Sequence, residues 1–220
     1  MKKQGIWFLL FLFISCKINS EKTDTLNIGE VKIDWSENVT GDFSFKEKWN
    51  YPEGVYKNEF GQLSCDGFCP PETDAMKDAN GKIFKDSLTA FYKLVDTTHY
   101  LHSFQSTANV AEWAGSNFAT AKQISKDTVI CSSMTNIATH TSLKLIITNN
   151  TCHPIIDTES IVANAKVETV LFESGTIQID KKLWKKGILK AKFGFVFKNS
   201  KNPKEPAFWK GNILAKIEKQ

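Results

Sequence analysis

The chain contains no arginine: every one of the 28 basic residues among its 220 is a lysine. Sequence-specific readers of nucleic acid and phosphate clamps rely on the planar guanidinium fork, which a lysine ammonium cannot copy. A lysine-favouring codon bias accounts for the absence equally well, but nucleic-acid and nucleotide partners are excluded whatever its origin. Also missing is an apolar run long enough to cross a bilayer. The run from Ile6 to Ile14 falls far short of the roughly 20 residues a spanning helix needs. No C-x-x-C or H-E-x-x-H motif is present, so the compact zinc signatures are absent. No G-x-S-x-G elbow exists to expose a nucleophilic serine. There is no internal repeat and no low-complexity tract.

What is present starts at the amino terminus. Lys2 and Lys3 precede the apolar run, and Ser15 and Cys16 close it, the layout of a secretory signal peptide. The ending Phe13-Ile14-Ser15-Cys16 resembles the lipobox of bacterial lipoproteins, with Phe13 where that family usually has Leu. The resemblance covers residues 1–16. It implies that the Cys16 thiol is acylated and that Cys16 becomes the first residue of the mature chain. A lipoprotein carries three acyl chains there, and two or more hold a protein stably on a membrane. The expected location is the cell envelope, on the outer membrane of a Gram-negative bacterium. Residues 1–15 are then the signal peptide, 16–25 the lipidated cysteine and a polar tether, and 26–220 a single domain. Without Lys2 and Lys3 the chain has 26 lysines against 24 acidic residues, a near balance that selects no partner.

Four cysteines remain, Cys65, Cys69, Cys131 and Cys152. An even number in an exported chain predicts disulfides. Three pairings are possible. Joining Cys65 and Cys69 to Cys131 and Cys152 is the expected arrangement, because it closes the longer loops and constrains the unfolded chain more.

Hydrophobic alternation is clearest in the last third. Leu189, Ala191, Phe193, Phe195 and Phe197 share one face, and Trp209, Gly211, Ile213, Ala215 and Ile217 share another after a polar loop. This period of two predicts an antiparallel hairpin. Further strands are expected at Glu30 to Trp35, Asp127 to Ser133, Leu143 to Thr148, Lys166 to Phe172 and Thr176 to Ile179. The last two are expected to flank a turn at Ser174-Gly175. Asp180 is placed to cap a single helical turn that Gly187 ends. One longer helix is expected over Ser87 to Val95, where Leu88, Phe91, Tyr92 and Val95 fall on one face. The fold class is therefore mainly β: an antiparallel sandwich or open barrel with one short helix on its N-terminal half.

The candidate sites follow from residue type. His99, His102, His140 and His153 could ligate a metal, but their spacing offers no metal motif, and neither metal nor cofactor is expected. Cys65 and Cys69 have three intervening residues, one too many for a thioredoxin-like pair. The segment from Trp49 to Glu72 mixes carboxylates with aromatic rings, as glycan-handling sites do. Trp49, Tyr56, Phe60, Asp66 and Phe68 are its candidate ligand-binding residues. Lys181, Lys182, Lys185 and Lys186 surround Trp184, either as a solvated turn with the ring packed inward or as a contact for anionic headgroups. The expected function is a membrane-anchored, non-enzymatic binding module for a glycan or a protein. The competing expectation is an exported hydrolase or metal-dependent enzyme using carboxylates of segment 49–78 or the histidines.

Overall fold

The computed structural model describes residues 29–50, 55–57, 63–65, 79, 84, 86, 101–136, 138–159, 170–198 and 205–219. The leader, Cys16, the tether, the helix expected over Ser87 to Val95 and the strand expected from Lys166 lie wholly or largely outside these residues. So do Phe60, Asp66, Phe68, Cys69 and His99.

The terminal hairpin forms as its alternation requires. Strands β10 (Ile188–Phe197) and β11 (Ala207–Lys219) pair antiparallel, with Phe195 opposite Trp209 and Phe193 opposite Gly211. The inward residues Leu189, Ala191, Phe195, Phe197 and Trp209 are almost wholly buried. The Phe193 and Phe195 rings stack with centroids 5.2 Å apart. Burying each such ring contributes about 1.5–3 kcal/mol.

The remaining strands are β1 (Val31–Ser36), β2 (Val55–Lys57), β3 (Leu63–Cys65), β4 (Phe104–Asn109), β5 (Ala119–Ser125) and β6 (Thr128–Ser133). Beyond these lie β7 (Thr141–Thr148), β8 (Thr151–Thr158) and β9 (Phe172–Asp180). β2 and β3 form a separate small hairpin within the segment that sequence reads as a loop. The others run in the order β10-β9-β1-β8-β7-β6-β5-β11-β4, and β10 also pairs with β11. That last pairing closes eight strands into a ring, with β4 attached to the outer half of β11.

The molecule is therefore neither an antiparallel sandwich nor an open barrel. It is a closed barrel of mixed direction, because β1 pairs parallel with β9 and β11 pairs parallel with β5. Two strands turn the corners. β1 binds β8 through Val31 and Lys32, then β9 through Ile33 to Ser36. β11 binds β4 through Phe208 to Ile213, then β5 through Ile217 to Lys219. Alternation reports which face of a strand is buried, not which strand lies beside it, so closure was not visible in the sequence.

Two local expectations are settled in opposite senses. Ser174-Gly175 is no turn but the early part of β9. A Cβ on Gly175 would meet the Gly194 carbonyl oxygen at 2.4 Å and the Phe195 Cα at 2.9 Å, so glycine serves close strand approach here. Asp180, by contrast, caps α1 (Lys181–Trp184) by accepting from the Leu183 N–H at 3.0 Å. Gly187, at φ 75°, ends the turn in the left-handed region. Among the described residues the other helical positions are the 3-10 turn Ser44–Glu47 and Asp86, next to the helix expected from Ser87.

The disulfide expectation is corrected at two of its four positions. Cys131 and Cys152 are free and buried. Cys131 pairs with Leu145 and Cys152 with Ile147, so β7 separates their strands. Both side chains point into the barrel, where no loop cysteine reaches them without displacing core. The backbone of Cys65 ends β3.

Candidate functional site

Among the described residues the barrel interior is filled with side chains. Phe104, Leu143, Leu145, Ile147, Ile177 and Trp209 meet there, each at most 1% exposed. The Trp209 Nε1–H is satisfied by the Ser106 hydroxyl at 2.9 Å, so even this polar handle is closed off. Two described concavities lie on the outside and at one end.

On the outside, a groove of about 900 Å³ crosses β1, β9, β10, β11 and β4. Two rungs of outward residues form it. The first carries Asp34, Gln178, Lys192, Asn212 and Gln105, each paired in register with the next. The second carries Thr176, Gly194, Lys210 and Thr107, with Lys32 beside them, two residues before Asp34 on the same face of β1. At about 4.8 Å per strand the groove spans roughly 19 Å. Asp34 is engaged, accepting from Gln178 Nε2 at 2.9 Å. Asn212 Nδ2 donates to the Asp42 carbonyl at 3.0 Å.

A second concavity, of about 520 Å³, lies at the barrel end between the β5–β6 turn, α1 and the end of β11. Lys126, Lys185, Lys186 and Lys219 line it together with Trp184. Trp184 does not project into solvent. Its ring meets Trp35 edge-on at 5.4 Å and packs on the core, as the inward reading of this turn expected.

The histidines are dispersed. His102 is bonded to the Asn50 side chain and meets Phe118 edge-on. Its burial, and secondarily the Lys48 charge, hold its pKa below the usual histidine value. His153 lies 3.6 Å from Glu30, which immediately precedes β1. His140 lies 3.6 Å from Glu112, beyond hydrogen-bond reach. Glu112 adopts φ 54°, and its carbonyl accepts from the His140 and Thr141 N–H groups at 2.9 and 3.0 Å. That strained residue has a structural task, tying the loop after β4 to the start of β7. Among the described residues, no three His, Cys, Asp or Glu side chains gather as a metal site.

Of the nominated ligand residues, Trp49 is half-buried and bridges to Leu101, while the Lys48 carbonyl accepts from His102 N–H at 2.9 Å. Trp49 is thereby held next to the chain that leads into β4. Tyr56 is placed in β2 by its backbone. Sequence reading missed the groove because its residues are the polar half of the alternation that marks each strand. No helix among the described residues is long and apolar enough to cross a membrane. No family model, curated protein or solved structure matches this chain.

Proposed function

We propose that this protein is an exported lipoprotein, held in the envelope by Cys16, whose barrel is a non-enzymatic binding module working through its outer surface. The observation that carries the reading is the filled interior beside a polar groove on the outside. A barrel that encloses a ligand leaves space at its axis, and this one is packed with aromatic and aliphatic side chains. The ligand is a glycan or a protein, with Trp49, Tyr56, Phe60, Asp66 and Phe68 as a second candidate contact region. The competing reading, an exported enzyme, finds its best acid–base pair in His140 and Glu112, whose 3.6 Å separation is not backed by a nucleophile in contact.

The anchor is tested by fractionating cells that express the full chain or its Cys16→Ser variant. The unaltered chain is expected in the membrane fraction and the variant in the soluble exported fraction. Retention of the variant on the membrane would remove the anchor from the proposal.

A further inference from the structure

We propose that the outer groove binds a linear acidic polysaccharide laid across the strands over Gly194. This deepens the binding-module reading and rests on it. Three observations converge.

The first is a glycine that the fold does not need. Gly194 lies inside β10, in the middle of the sheet, and faces outward. A Cβ there would find only the Lys210 Cβ, at 3.8 Å, which is ordinary contact. Its neighbours Gly175 and Gly211 differ, since a Cβ on either would strike backbone at 2.4 or 2.2 Å. Glycine in a strand interior weakens it unless something must approach closely. At Gly194 no part of the described protein does, so the open position is kept for a ligand.

The second is charge. Lys32, Lys192 and Lys210 line the groove against a single carboxylate, Asp34. Gln178 already holds that carboxylate. None of the three lysines joins an ion pair among the described residues; the Lys210 ammonium lies 5.6 Å from the Phe208 ring centroid, a contact that leaves its charge uncompensated by any carboxylate.

The third is the chemistry between the charges. Gln105, Gln178 and Asn212 carry amides that both donate and accept, and Thr107 and Thr176 carry hydroxyls that do the same. Such a mixture suits a hydroxylated chain bearing carboxylates. A peptide adding itself as a strand would need a free backbone edge; among the described residues β4 offers one at the rim of the groove, but across Gly194 there is none, because β9, β10 and β11 are paired on both sides. A duplex or single-stranded nucleic acid would call on arginine and stacking rings, which the groove lacks.

The test is calorimetric titration of the detergent-solubilised full chain with an oligogalacturonate, and with a neutral glucan oligomer of equal length. Binding of the acidic oligomer is expected, weakening with added salt, with the neutral one at least tenfold weaker. Gly194→Thr is expected to melt no lower than the unaltered protein yet bind at least tenfold more weakly, because its side chain fills the groove. Lys192→Gln with Lys210→Gln is expected to do the same through charge. No binding of the acidic oligomer, or equal binding by all variants, overturns the groove. Equal binding by the variants would leave the binding-module reading standing. Release of new reducing ends would instead overturn the non-enzymatic reading while the groove survives.

Discussion

At the scale of single residues, burial decides chemistry. The barrel hides both the Cys131 and the Cys152 thiol. Burial pushes the Cys131 thiol from 9.0 up to about 12. It raises Cys152 in the same direction, with the neighbouring Cys131 adding to the effect. Reactivity belongs to the thiolate, so these groups are inert in the native state. Maleimide labelling without reductant is expected to miss both in the native protein and to reach both after denaturation. Protection that persists in denaturant would mean that they are disulfide-bonded after all. The linkage has a definite sign. Above about pH 9 the unfolded chain releases thiol protons that the native chain retains, so stability falls as pH rises towards 12. Denaturant melts of Cys131→Ala across that window are expected to show a shallower fall than the unaltered protein, whatever the absolute stability lost to the cavity.

At the scale of elements, identical residues play opposite parts. Gly211 faces β4, and a Cβ there would meet the Gln105 carbonyl at 2.2 Å and Ser106 Cα at 2.8 Å. Gly211→Ala therefore has to push β4 off β11, along a ladder that runs from Phe208 to Ile213. A loss of about 3 kcal/mol is expected by chemical denaturation, with Phe104 drawn out of the core. A loss below about 1 kcal/mol would show that β4 yields freely. Gly194→Thr, one strand away, is expected to cost nothing. The sequence made β10 and β11 plain because large apolar residues alternate there without interruption. It hid β4 and β5 because their inward positions are mostly small or polar. β4 buries one large apolar residue, Phe104, and β5 turns Ala119 and Ala121 inward while leaving Ile124 46% exposed. Pro154 masked β8, although it is paired with Leu145 inside the sheet. The groove was illegible for a different reason. Lys192, Gln178 and Asn212 each read as the solvated side of a separate strand, and only the register sets them in one row.

At the scale of the whole molecule, the ring closes on its first strand. β1 lies between β8 and β9, and its partners in β9 are 144 residues away in sequence, as the Gln178–Asp34 bond records. Such non-local parallel pairing forms slowly, since loop-closure entropy is spent before contact energy returns. The seam is fastened at its far end by Asp180, whose carboxylate accepts from Val39 N–H at 3.3 Å as well as capping α1. β1 also carries Lys32 and Asp34, one end of the groove. The first strand thus completes the barrel and carries one end of the groove together. A soluble chain beginning at residue 26 is expected to unfold cooperatively and to bind the acidic oligomer. One beginning at Glu37 leaves β8 and β9 with unpaired edges and Ile33's share of the core empty. It is expected to lose cooperative melting, take up a hydrophobic dye and bind nothing. If the shorter chain melted as sharply as the longer, the ring would not depend on its seam.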